Sequence, residues 1–160
     1  MRFMLASLVF AVFAGLLAVY QHQSTAISPQ TQELQATQAG QMFVAYAGAV
    51  AAFMNSNPSF TGTVSSVQLA SQGTPFSASF LAKAGNAVTA FGSAGRTITT
   101  YASLPAGAIN TIVSQTAADA SYGLSFATTW TSVLPGSSAQ PLATSVPAGA
   151  SSPSSKLACN

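Results

Sequence analysis

The longest apolar run of the chain comes first. Phe3 to Tyr20, FMLASLVFAVFAGLLAVY, holds 18 consecutive residues without a charge. As a helix this run would cover roughly 27 Å, close to the hydrocarbon thickness of a bilayer. The pattern predicts a transmembrane anchor over residues 1–20. Arg2 precedes it, Phe3, Leu5, Leu8, Val9, Phe10, Val12, Phe13, Leu16, Leu17 and Val19 form its apolar layer, and Tyr20 stands at the interface. Arg2 and the α-amino group lie before the run, whereas the next cation is Lys83. The positive-inside bias therefore puts the N-terminus in the cytoplasm and the remainder across the membrane, an inner-membrane protein with a periplasmic domain. A cleaved secretory signal is the competing reading, because Ser24-Thr25-Ala26 offers a small-x-small site. The length of the run and the polar Gln21, His22 and Gln23 directly after it favour a retained anchor. Both readings export residues 27–160.

Past the apolar run the pattern becomes polar and then periodic. Residues 21–41 carry seven glutamines, at 21, 23, 30, 32, 35, 38 and 41, and read as a Gln-rich stalk, with a disordered spacer as the alternative for residues 21–33. After Ser28-Pro29, a suitable helix start, the apolar residues Leu34, Phe43, Tyr46, Val50, Phe53 and Met54 recur, and steps of three and four from Phe43 onward place them on one stripe. A helix over 31–54 is expected, stopped by Asn57-Pro58. Ser65 or Ser66 can cap one helical turn through Val67 and Leu69. From Asn86 the period changes to two. Ala87–Phe91 and Arg96–Ala102, joined by Gly92-Ser-Ala-Gly95, read as a β-hairpin. Leu104-Pro105-Ala-Gly107 then introduces a helix over about 106–118. Beyond it, Tyr122, Leu124, Phe126, Thr128 and Trp130 alternate with small or polar residues, which predicts one strand with a single apolar face. Pro135-Gly136 closes it. Residues 135–160 read as a loosely ordered Pro/Ser-rich tail with one short extended piece around Leu142–Val146. The expected fold class is α+β: a transmembrane helix, an amphipathic stalk helix, and a periplasmic domain over 42–134 with a small antiparallel sheet and a packed helix.

Composition then narrows the chemistry. Only six of the 160 residues are charged, Arg2, Glu33, Lys83, Arg96, Asp119 and Lys156, which is 4%, where soluble domains carry roughly 25%. Acid-base, nucleophilic and metal-assisted catalysis draw on His, Cys, Asp, Glu and Lys held close together. Here His22, Glu33, Asp119 and Cys159 are the only residues of the first four types, and they are scattered. No triad, carboxylate pair, zinc cluster or phosphate loop can be assembled from them, so the expectation is a protein without catalytic residues, metal or cofactor. Four dispersed cations supply no basic stripe for nucleic acid. A single cysteine in an exported chain forms no internal disulfide, which leaves Cys159 as an incidental thiol or an intermolecular bridge. No acidic residue occurs in residues 1–32, which argues against a polymerising pilin, whose apolar helix bears a glutamate.

Several stretches taken in order resemble the PilM family of type IVB pilus systems. They are the N-terminal span, Tyr46-x-x-Ala49-Val50-x-x-Phe53 running into Asn57-Pro-Ser-Phe-Thr-Gly-Thr-Val64, the strand Arg96-Thr-Ile-Thr-Thr-Tyr101, Leu104-Pro-Ala-Gly107, Ser121-x-Gly123, and Pro141-Leu-x-x-x-Val-Pro-Ala-Gly-Ala150. None of these motifs is catalytic, and their order and spacing carry the likeness. The departure lies at the end, where Ser151-Ser-Pro-Ser-Ser155 stands in place of an apolar strand. The resemblance implies a non-enzymatic single-span inner-membrane protein acting in pilin transport or at the pilus base. Its partners would be pilin or other assembly components, with no nucleic acid and no small-molecule substrate.

Arg96, Tyr101 and Trp130 form the candidate interaction surface. Each has a plainer alternative: Arg96 as a solvated edge charge that discourages edge pairing, and Tyr101 and Trp130, both at apolar-parity positions, as core residues. Lys83 and Asp119 could pair on the surface, where an ion pair contributes about 0–1 kcal/mol.

Overall fold

The computed structural model describes residues 29–73, 75–92, 95–146 and, for the backbone, 154–159. The predicted anchor and residues 21–28 of the stalk, His22 included, lie outside the described residues. Among those that are described, no helix is long and apolar enough to cross a membrane. The chain divides into two compact units, Met1–Leu34 and Gln35–Asn160, and the second carries the α+β fold.

The expected long helix is present as α1, Pro29–Ser56. Its buried residues, among them Ala36, Gly40, Phe43, Tyr46, Val50 and Phe53, follow the three-and-four spacing that lines one face. Asn57 ends it by donating its side-chain amide to Phe53 O at 2.9 Å, which satisfies one of the last carbonyls. Two short helices follow. In α2, Ser66–Ala70, Ser65 and Gln68 form a reciprocal capping box. In α3, Ala78–Leu81, Ser77 caps the amide of Phe80. α3 is too short for periodicity to reveal.

The predicted hairpin is β1, Ala84–Phe91, and β2, Gly95–Ser103, antiparallel from Ala84↔Ala102 to Phe91↔Gly95. After α4, Ala108–Gln115, come β3, Tyr122–Phe126, β4, Thr129–Ser132, β5, Gln140–Pro141, and β6, Ser154–Cys159. They form one six-stranded sheet in the order β1-β2-β6-β3-β4-β5, antiparallel at every neighbouring pair.

One sheet face is covered by α1 and its neighbours. Phe43 meets Tyr122 edge-on with ring centroids 6.3 Å apart. Tyr46 meets Phe76 and Phe80 at 5.4 and 5.6 Å. Val88 and Ala102 complete this core from the sheet, and Ala108 and Ile112 from α4. At Gly40 an added Cβ would stand 2.8 Å from Ala108 O and 2.9 Å from Thr111 Cβ, so the glycine is what lets α1 and α4 approach this closely.

Two expectations are corrected. The single strand over Tyr122–Trp130 is a hairpin: Phe126 pairs with Thr129 and Ser125 with Trp130. The reversal uses Ala127 at φ 47°, a left-handed conformation that alanine rarely adopts. The stretch read as a loose tail contributes β5 at one edge and β6 in the interior of the sheet. Local pattern reading cannot find β6, because three of its six residues are Ser or Lys and its pairing partners lie far away in sequence.

Candidate recognition surface

The face of the sheet turned away from α1 is concave between β2 and β4. Residues opposite each other in an antiparallel pair share a face. Asn86↔Thr100, Val88↔Ile98 and Ala84↔Ala102 therefore belong to the helix side, and Thr97, Thr99 and Tyr101 to the outer side. The outer side carries an open concavity of about 940 Å³, with Thr97 and Thr99 from β2, Trp130 and Ser132 from β4, and Phe91 on its lining. The 119–121 turn and the 134–143 segment complete it. Its rim is tied by short local bonds. Ser132 Oγ donates to Ala120 O at 2.8 Å, and Leu142 N donates to Thr128 O at 2.8 Å. Phe91 and Leu134 remain 66% and 40% exposed, so apolar surface stands open at this concavity beside Ser and Thr hydroxyls.

Asp119 is the one titratable group among its described lining residues. Asp119 Oδ1 already accepts from Ser121 N and Ser121 Oγ, each at 2.9 Å, an Asx-turn arrangement that shapes the loop. Among the described lining residues the chemistry available besides Asp119 is apolar contact plus neutral hydrogen bonding. A second concavity of about 490 Å³ lies between α1 and α3, where Gln35, Gln38, Met42, Phe80 and Lys83 face one another. Lys83 and Asp119 thus line different concavities. Among the described residues no three metal-ligating side chains come together.

The three candidate surface residues do not converge. Trp130 is half-buried on the outer face, because the hairpin turn reverses the parity that the sequence pattern assigned to it. Its ring covers Gly123, where an added Cβ would come within 2.6 Å of Trp130 Cε3. Tyr101 is on the same face but leans the other way, over Gly85, 2.5 Å from the position a Cβ would take. Both glycines leave room for a cross-strand ring. Three strand spacings separate β2 from β4 in the sheet order, roughly 14 Å at about 4.8 Å each. Arg96 alternates with Ile98 and Thr100 and so falls on the helix-facing side of β2. It is half-buried, pairs with Ala90 of β1, and lies two positions beyond the Ile98↔Cys159 pair that ends the described β2–β6 register. Only Trp130 belongs to the concavity. The anchor residues Arg2 to Tyr20 lie outside the described residues.

Sequence reading passed over Asn86, which holds the helix to the sheet. It is 3% exposed and makes three hydrogen bonds. Val64 N donates to Asn86 Oδ1 at 2.7 Å, and Asn86 Nδ2 donates to Tyr46 Oη at 2.7 Å and to Val64 O at 3.0 Å. Burial pushes the Tyr46 phenol above the ordinary tyrosine value, the bond from Asn86 pulls it down, and the neighbouring Tyr101 raises it further. The available signal was an asparagine two residues before Val88, on the apolar parity of a strand.

Fold and surface together define a small α+β domain whose outer sheet face carries a partly apolar, hydroxyl-lined concavity. The family model described as PilM matches residues 9–151, and the chain belongs to the PilM family. A crystal structure of PilM from Escherichia coli B7A has the same fold, with a TM-score of 0.55 at 14% identity over 84% of this chain and 97% of that one. No curated protein matches the chain.

Proposed function

We propose that this protein is a non-enzymatic, single-span inner-membrane component of a type IVB pilus apparatus, with its α+β domain in the periplasm. The observation that carries the reading is membership of the PilM family over residues 9–151, together with the uncharged run Phe3–Tyr20 that opens the chain. The anchor holds the domain at the membrane, and the outer sheet face docks pilin or another assembly component. An interface built on Trp130, Phe91 and Ser/Thr hydroxyls suits this role, because little charge must be desolvated when a partner docks.

The test has two arms. Membrane fractions washed with alkaline carbonate should retain the chain with its N-terminal segment intact, and protease added to spheroplasts should digest the domain. A mature chain starting at Ile27, recovered in the soluble fraction, supports an exported cell-envelope module instead. In a strain lacking the gene, the wild-type chain should restore pili, whereas Phe91→Ala/Trp130→Ala should restore few while keeping a native circular dichroism spectrum. Full piliation by that variant overturns docking through this face.

A further inference from the structure

The second concavity differs in chemistry from the outer sheet face. On α1, Gln35, Gln38, Ala39 and Met42 line it, a spacing that puts them on one stripe of the helix. The α3 region supplies Ser77, Ser79 and Phe80, and the end of β2 supplies Ser103, Leu104 and Pro105. Phe80 and Leu104 are buried, and with Met42 they give the cleft an apolar floor. Its volume of about 490 Å³ is in the range of ligand-binding clefts, roughly 300–1,000 Å³.

Lys83 brings the one charge among the described lining residues. Its backbone is fixed on both sides: Lys83 N donates to Phe80 O at 2.9 Å, and Lys83 O accepts from Ser103 N at 2.9 Å. The ammonium therefore extends from a rigid junction between α3 and the sheet. Among the described residues it has no ion pair and no hydrogen bond, and the side chains of Gln35, Gln38 and Ser103 have no hydrogen bond either.

An ammonium without a counter-charge, set with two carboxamides and a hydroxyl around an apolar floor, suits a ligand that carries a carboxylate next to an apolar group. The last residue of a polypeptide has this makeup. Its carboxylate matches Lys83, its side chain matches the floor, and its peptide N–H and C=O match the Gln35 and Gln38 amides, which both donate and accept. A simple aliphatic acid shares the carboxylate and the apolar chain but leaves the amides nothing to pair with.

We propose that this cleft binds the free C-terminal end of a polypeptide, with the carboxylate on Lys83 and an apolar last side chain on Met42, Phe80 and Leu104. A terminal carboxylate also discriminates, because an internal segment of chain presents a neutral amide at the same point. The inference does not rest on the pilus reading or on the outer sheet face.

The test titrates the full-length protein, in mild detergent, against the peptide Gly-Ser-Ala-Leu labelled at its N-terminus with an uncharged dye, read by fluorescence anisotropy. The free-acid peptide should bind saturably and lose affinity as salt rises, and its C-terminal amide should bind about tenfold more weakly or worse. Lys83→Gln should weaken the acid by a similar factor and erase its advantage over the amide, whereas Lys83→Arg, which keeps the charge, should stay within about threefold of wild type. Arg96→Gln removes a cation that does not line the cleft and should change nothing. Lys83 is exposed, so its variants should keep the wild-type circular dichroism spectrum. The proposal is overturned if no saturable binding appears up to about 1 mM peptide, if the amide binds as well as the acid, or if Lys83→Gln binds like the wild type. Hexanoate, a carboxylate with an apolar chain and no peptide group, separates the two sources of this chemistry. Weak competition supports a polypeptide end, and displacement as effective as that by unlabelled peptide overturns it in favour of a simple aliphatic acid.

Discussion

Replacing Asn86 by alanine tests whether one side chain fastens α1 to the sheet. The substitution removes the acceptor for Val64 N and the donor to Val64 O and Tyr46 Oη. Val64 and Tyr46 are each 2% exposed, so water does not replace the lost partners without opening the core. A buried polar group left unpaired costs about 1–3 kcal/mol. Two orphaned groups on Val64 and a weakened one on Tyr46 give a loss of about 3–5 kcal/mol. For a unit of this size each kcal/mol lowers the melting temperature by about 4 °C, which predicts a fall of roughly 12–20 °C. Thermal circular dichroism and urea unfolding followed through Trp130 fluorescence measure it. Tyr46→Phe removes only one of the three bonds and should cost about 1–2 kcal/mol. The reasoning fails if Asn86→Ala melts within a few degrees of the wild type, or if Tyr46→Phe is as damaging as Asn86→Ala.

Further outcomes follow from the same packing. Thr100 is fully buried and its hydroxyl has no hydrogen-bond partner among the described residues, so Thr100→Val should raise stability by about 1 kcal/mol in urea titration. Gly48 in α1 has open space around an added Cβ, whereas Gly40 meets Ala108 O. Gly48→Ala should therefore stabilise by about 0.5–1 kcal/mol, and Gly40→Ala should lower the melting temperature despite the same gain in helix propensity. Gly85→Ala meets only the movable end of the Tyr101 ring, but Gly123→Ala meets the backbone of Thr131, so the second should unfold at clearly lower urea. The raised Tyr46 pKa favours the neutral phenol in the fold. That contribution is complete below the ordinary tyrosine value and is lost as pH rises through the higher folded value. Stability should drop on the alkaline side of about pH 10, and Tyr46→Phe should flatten that limb.

Much of the architecture was legible locally. The three-and-four spacing from Phe43 to Met54, the Asn57-Pro58 stop, the Ser65 cap and the Gly-bounded hairpin are all short-range consequences of backbone geometry and side-chain size, and each element stands where its pattern put it. The scarcity of charge was visible in the same way, and it left Asp119 as the single titratable group among the described lining of the outer concavity. What the chain could not disclose by itself depends on partners distant in sequence. Trp130 changed faces because a two-residue turn pairs Phe126 with Thr129, and alternation runs unbroken through such a reversal. Ser154–Cys159 became an interior strand although its residues resemble a tail, because it pairs with β2 on one side and β3 on the other, both distant from it in sequence. Asn86 became the fastening point only once α1 brought Tyr46 within 2.7 Å of its amide. Short-range preference selects elements from neighbouring residues, but which face is buried and which edge is filled is decided by contacts that exist only after the chain has closed on itself.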